Sequence, residues 1–265
     1  MDDAFDQEAL VQKENYEIHP DGTTFTGQMK VIRKSTGDIV TDFTKSVGSG
    51  SEFCFIPHGY GTLNWPDGAS YTGDIRDGKA NGQGRFTHAN GDTYQGQFLE
   101  DQAHGQGEYI YHEHQQKYSG EWRNDMQHGI GREELCDGSI YTGDFFEGRK
   151  HGLGRYAWSD QSMYAGHWQN NEMHGYGQFV AADQRQYIGY YQSSQFHGIG
   201  IYEWPDGRTY KGKYLNDKKE GFGIYRWPDG KEYAGYWSNG LQDGKGRFTN
   251  TKKQKKVGIW KDGKR

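Results

Sequence analysis

The sequence is poor in the residues that mark most familiar protein classes. Its two cysteines, Cys54 and Cys136, lie far apart and lack C-x-x-C spacing. They read as free thiols of a reducing compartment and not as a disulfide framework. Five prolines and no Gly-X-Y period exclude a collagen-like chain. No apolar run approaches the ~18 residues that a spanning helix needs. The opening residues, Met1-Asp2-Asp3-Ala4-Phe5-Asp6, are acidic and have neither the basic nor the apolar region of a signal peptide. Asp2 stands where N-myristoylation requires glycine. These features predict a cytoplasmic location. Leu, Ile, Val and Phe are scarce as well, together 39 of 265 residues, below the ~20% at which a chain starts to look disordered. A net charge of only −5 and an aromatic content of 20 Tyr, 13 Phe and 8 Trp oppose disorder. What remains is a core built from rings over a backbone with 41 glycines.

Those rings and glycines recur with a fixed period. Tyr-x-Gly-x-(aromatic) begins at Tyr71, Tyr94, Tyr118, Tyr141, Tyr164, Tyr187, Tyr210 and Tyr233, in steps of 23 or 24 residues. About ten residues after each Tyr comes a Gly-x-Gly quartet, such as His104-Gly105-Gln106-Gly107, His151-Gly152-Leu153-Gly154 or Glu220-Gly221-Phe222-Gly223. The frame decays outward. His58-Gly59-Tyr60-Gly61 belongs to a unit whose Tyr has become Gly48. Phe25-Thr26-Gly27 lies two periods before Tyr71, and Val257-Gly258-Ile259-Trp260 follows the last unit with Lys256 in the Tyr place. Atypical terminal units are what a stacked repeat requires.

These residues resemble the MORN repeat (membrane occupation and recognition nexus), whose signature is Tyr-x-Gly-x-Trp followed by Gly-Lys-x-His-Gly-x-Gly. Tyr118-Ser119-Gly120-Glu121-Trp122 and Tyr164-Ala165-Gly166-His167-Trp168 match closely. Ile75 in an aromatic place, the missing His at Asn81, Glu220 and Asp243, and the segment 28–57 depart from it. The organisation read from the sequence is an acidic tail at 1–15, degenerate repeats with an irregular segment at 16–70, eight regular repeats at 71–255, and a half repeat with a basic tail at 256–265.

The physics of one unit points the same way. Tyr-x-Gly-x-aromatic has the period of two of a half-buried strand. Asp77-Gly78, Asn124-Asp125, Glu147-Gly148, Asn216-Asp217 and Asn239-Gly240 suit tight hairpin turns. The returning strand puts Gly at offsets 11 and 13 from the Tyr, an aromatic at 15 and often Trp at 17, all on one face. The expected fold is therefore all-β, an elongated single-layer antiparallel meander of tandem β-hairpins. At ~4.8 Å per strand, about twenty strands would extend on the order of 95 Å. Rings should cover the strand glycines.

Catalytic motifs are weak. Gly73-Asp74-Ile75-Arg76-Asp77-Gly78-Lys79-Ala80 approaches a phosphate-binding loop, but Ala80 lacks the Mg²⁺-binding hydroxyl and the segment is a hairpin. The recurring His104, His128, His151, His174 and His197 would stand ~10 Å apart along a sheet, too far to converge on a metal. Hydrogen bonds from these imidazoles to turn backbone are expected instead. No nucleophile elbow is present, and the acidic balance opposes nucleic acid. The expectation is no enzyme activity, no cofactor, no metal site and no nucleic-acid partner.

Partner binding is the remaining reading. Offsets 1, 3, 12 and 14 face away from the ring-covered side. That second face is polar in the early repeats (Thr72, Asp74, Gln83, Gln97) and turns apolar later, with Tyr176, Ile188, Tyr190, Ile199, Ile201, Phe222, Ile224 and Tyr236. These eight are the candidate binding residues for an amphipathic helix or extended peptide. Ile130 and Leu153 read as isolated exceptions. Residues 1–20 carry a net −5 and residues 245–265 a net +8. Lys252, Lys253, Lys255 and Lys256 are accordingly candidates for an anionic surface, including phospholipid. The resemblance implies a scaffold of cilia, flagella, cytoskeletal rings or membrane junctions, with a membrane-periphery tether as the alternative. It also implies that a homodimer through an edge strand is an option, since exposed edges invite pairing.

Overall fold

Tyr, Gly and Trp alternate along each strand because one face must bury rings while the other meets water, and the burial of Tyr164-Ala165-Gly166-His167-Trp168 follows that alternation. A computed structural model of the protein describes residues 10–33, 36–39 and 53–265. Most of the acidic tail and the Gly48-Ser49-Gly50-Ser51 segment lie outside the described residues. Among those described there are twenty strands and no helix, arranged as an open antiparallel sheet of consecutive hairpins.

The chain divides into two units, 1–128 and 129–265. The first holds β1 (Val11–Glu17), β2 (Thr24–Arg33), β3 (Phe53–Asn64), β4 (Ser70–Arg76) and β5 (Lys79–Thr87). It continues through β6 (Thr93–Leu99), β7 (Gln102–Tyr111) and β8 (Gln116–Arg123). β9 (Met126–Glu134) carries the chain into the second unit. There follow β10 (Ile140–Phe146), β11 (Arg149–Ala157), β12 (Met163–Gln169), β13 (Glu172–Val180), β14 (Gln186–Gln192) and β15 (Gln195–Glu203). β16 (Thr209–Leu215), β17 (Lys218–Arg226), β18 (Glu232–Ser238), β19 (Leu241–Thr249) and β20 (Lys255–Trp260) complete it. Within each unit every strand pairs antiparallel with its chain neighbours. The meander also takes in part of the poorly matching segment: β2 runs on to Arg33 and β3 starts at Phe53, with Val31 opposite Phe55.

Two-residue turns join the strands of each repeat. Asn216 and Asp217 both have positive φ (47° and 65°), as do Glu147 and Gly148 (48° and 75°). That is the conformation whose twist matches flanking strands. The second turn residue does more. Asp101 N–H donates to the Ala80 carbonyl at 3.0 Å, and its Oδ1 accepts from Ala80 N–H at 2.7 Å. Asp125 holds Ala103, Asn171 holds Lys150 and Asp217 holds Phe196 in the same way. Each of these four turns is thus stapled to the preceding repeat.

The glycines face one another across the strands: Gly143 opposite Gly154, and Gly154 opposite Gly166. Over them lies the repeat's own Tyr. A Cβ placed on Gly154 would sit 2.3 Å from the Tyr141 hydroxyl, and one on Gly143 would meet the Gly154 Cα at 2.4 Å. Tyr71, Tyr118, Tyr141, Tyr164, Tyr187, Tyr210 and Tyr233 are almost completely buried. Tyr141, Tyr164, Tyr187, Tyr210 and Tyr233 each pack edge-on against two rings. Tyr164, for example, meets Trp168 at 5.3 Å and Tyr191 of the next repeat at 5.1 Å. In the degenerate terminal units Phe25 takes the place of the Tyr and Trp260 that of the Trp, at 0% and 5% exposure.

One feature of the hairpin departs from simple alternation. Between the pairs Gly143/Gly154 and Phe145/Lys150 the returning strand carries two extra residues, and Gly152 there has φ of 57°. This bulge removes a carbonyl from the ladder. The Tyr hydroxyl takes it up: Tyr141 Oη donates to the Asp144 carbonyl at 2.9 Å, and the same bond recurs from Tyr71 to Tyr233. Two extra residues leave the parity unchanged, so offset 9 joins the ring-covered face. That position holds Ala80, Ala103, Gln127, Lys150, Met173, Phe196, Lys219 and Gln242 in turn.

Candidate functional site

The second face of residues 129–265 presents two rows. Tyr176 stands opposite Tyr190 and Phe222 opposite Tyr236, with ring centroids 5.6 and 6.0 Å apart. Ile199, between these pairs, stands opposite Lys213. All five apolar side chains are 52–57% exposed. The second row runs through Ile188, Ile201 and Ile224, which are half-buried; Ile188 faces Ile201, and both Ile201 and Ile224 face Lys211. The eight candidates therefore share one face, five as open side chains and three as its floor.

The rows extend beyond those eight. Ile130 and Leu153 stand in the same register row as Tyr176 and are 64% and 58% exposed. Each faces a polar side chain across the ladder, Asp144 and His167. At the other end Val257 and Ile259 of β20 face Arg247 and Lys245, and both are largely exposed. Offset parity places the first two on this face in the sequence and reaches the last two only if counted from Lys256. The last two lie in a half unit without a Tyr from which to count.

The change in character along this face has a local cause at offset 3. In earlier repeats a polar side chain there caps the bulge. Asp74, Gln97 and Asp144 accept the N–H of Gln83, Gln106 and Leu153 at 2.8, 2.8 and 2.7 Å. In later repeats Tyr190 and Tyr236 replace that cap, and their Cβ atoms lie against Gly198 and Gly244 of the bulge. A polar hydrogen-bonding surface thereby becomes an aromatic one.

The four candidate lysines do not share a face. Lys252 and Lys253 lie in the turn before β20, Lys256 is paired with Phe248 on the ring side, and Lys255 is paired with Thr249 on the other. All four are exposed. The recurring histidines correct another expectation. Among the described residues Nδ1 of His104, His151 and His197 is buried and meets no protein hydrogen-bond partner. The neighbouring backbone groups are already engaged by the Tyr hydroxyl and, at Leu153, by Asp144. No group of three or more His, Cys, Asp or Glu gathers as a metal site among the described residues. No helix there is long and apolar enough to cross a membrane.

Rings buried over paired glycines, bulged hairpins and staples between neighbours define a class, the open antiparallel hairpin-repeat sheet. The MORN repeat profile matches residues 56–70, 71–93, 94–114, 118–140, 141–163, 164–184, 187–207, 210–232 and 233–252. The chain belongs to the MORN repeat family. No curated protein matches it. Among solved structures it is similar to the TCP10 domain of Danio rerio CPAP in complex with a STIL peptide, at 15% identity and a TM-score of 0.46, over 79% of this chain and 97% of that one. The CPAP G-box domain is similar at 12% identity and a TM-score of 0.41, over 77% and 100%. The TCP domain of Drosophila melanogaster SAS-4 is similar at 15% and 0.37, over 58% and 84%.

Proposed function

We infer that this protein is a non-enzymatic scaffold that binds a protein partner along the apolar face of residues 129–265, within a cytoskeletal or ciliary assembly. The observation that carries the reading is the open row of Tyr176, Tyr190, Ile199, Phe222 and Tyr236. So many half-exposed apolar side chains in one register exceed what a monomer's surface usually leaves to water. Paired aromatic rings are also the anchors that binding hot spots favour. Neighbouring repeats bring the offset-12 side chains about 10 Å apart, two strand spacings. An amphipathic helix or an extended segment lying along the row would meet them in turn. Family membership supports a repeat scaffold.

Tyr190→Ser combined with Phe222→Ser tests this. Neither ring is part of the buried Tyr–Trp stack, so the melting temperature and far-UV spectrum should stay near wild type. Proximity labelling of partners in cells should fall to background. Labelling that survives the double change, or a fold that collapses with it, rejects the assignment. Co-sedimentation with anionic liposomes that is lost only on neutralising Lys252, Lys253, Lys255 and Lys256 would favour the phospholipid tether instead.

A further inference from the structure

Lys219 stands on the ring-covered face, opposite Tyr214 in register. Its ammonium lies 4.9 Å from the ring centroids of Tyr225 and Trp237, 5.1 Å from Tyr210 and 5.3 Å from Trp204. Three periods earlier the equivalent residue is Lys150, opposite Phe145. Its ammonium lies 5.3 Å from Tyr141 and 5.9 Å from Tyr156. It also has a counter-ion, Glu133, at 2.5 Å. Advancing by the same three periods turns Glu133 into Tyr202 and Leu135 into Trp204. The cage is kept and enlarged, but the carboxylate is gone.

Nothing nearby replaces it. Among the described residues no carboxylate lies within ion-pair distance of Lys219. The oxygen of Asp217 that faces the sheet is taken by Phe196 N–H at 2.8 Å. Arg208, which is itself paired with Asp206 at 2.7 Å, adds a repelling charge. Burial first, and Arg208 second, push the amine down to about 8. Rings attract the cation through their faces but accept no ordinary hydrogen bond from its three N–H donors. Beside the ammonium opens a cavity of about 240 Å³, walled by Phe196, Tyr202, Trp204 and Tyr214.

We propose that Lys219 and this cavity form a recognition site for an acidic side chain of a partner polypeptide, whose Asp or Glu carboxylate reaches the ammonium from the cavity side and serves it as Glu133 serves Lys150, while an apolar neighbour rests against the ring walls. The site is on the opposite face from the apolar row and does not depend on it. A single carboxylate fits better than a phosphate, because the Asp217 carboxylate also lines the cavity and a dianion would meet it. Half-desolvated charges gain most from a partner that supplies both charge and acceptors.

The test uses the full chain and two capped pentapeptides, Ala-Leu-Glu-Leu-Ala and its Gln isostere, with binding followed through the Lys219 Nζ resonance. The Glu peptide is expected to bind about tenfold tighter or more, as a charge-assisted hydrogen bond predicts. Lys219→Met should abolish the preference, and Met173 at the equivalent position shows that the frame accepts that side chain. Tyr202→Glu should abolish it too, by restoring the internal counter-ion, and should raise the amine from about 8. Equal binding of both peptides, a preference that persists in either variant, or a Lys219 amine unmoved by Tyr202→Glu each overturns the proposal. Tighter occupation of the Lys219 site by inorganic phosphate or by anionic vesicles overturns it as well.

Discussion

At the scale of single residues the repeat separates two uses of glycine. Gly154 is needed because no space exists for a side chain, whereas Gly148 is needed only for its φ of 75°, since a Cβ there would have nothing within 4 Å. Gly154→Ala would force the Tyr141 ring and the facing strand apart, at a cost of about 3 kcal/mol. Gly148→Ala carries only left-handed backbone strain, about 1 kcal/mol. Urea denaturation of both variants should show that order. Equal midpoints would mean that the ring over the glycine pair is not what Gly154 serves. Lys219 makes a related point about neighbours. A cation in a ring cage has or lacks a counter-ion according to one residue two strands away, Glu133 for Lys150 and Tyr202 here.

At the scale of the hairpin, the staple is the feature to perturb. Asp101→Ala removes the acceptor of the Ala80 N–H and should cost about 1–2 kcal/mol, with faster hydrogen exchange at that amide. Asp101→Asn should be close to neutral, since Asn171 performs the same task for Lys150 and Asn tolerates positive φ. An Ala variant as stable as the Asn variant would remove the staple from the account. Most of the hairpin was legible in the sequence. The Tyr period fixed the strands, the Asn-Asp and Glu-Gly dipeptides their turns, and parity the two faces. The bulge was not legible, because Gly at offset 11 suits a flat strand as well as a kinked one. With the bulge went the ring-side position of Lys219, which looks like the edge of a turn. The staple left no pattern either: its donor residue is Asp, Asn, Ser or Gly in different repeats, and its partner lies a whole unit away. Of the candidate site, the eight apolar residues came from parity alone. Leu153 reads as an exception because the same offsets are polar in the early repeats, and in the sheet it stands between Asp144 and His167.

For the whole molecule, the recurring tyrosines set the response to alkali. Burial holds the hydroxyls of Tyr71, Tyr94, Tyr141, Tyr164, Tyr187 and Tyr210 well above the ordinary phenol value of 10.0. The raised folded-state value means that the folded chain keeps protons the unfolded chain has lost. Their contribution is complete below pH 10 and fades as the pH climbs above it. Spectroscopic titration should therefore show this buried set ionising together, in one steep step that coincides with loss of the far-UV signal. Gradual ionisation of the set with the fold intact would contradict this packing. The order of pairing has a further consequence, for synthesis. Within each unit every strand finds its partners immediately before and after itself in the chain. A polypeptide leaving the ribosome can thus close each hairpin as the next one emerges, with one unpaired edge at its growing end and, among the described strands, none waiting on a distant partner.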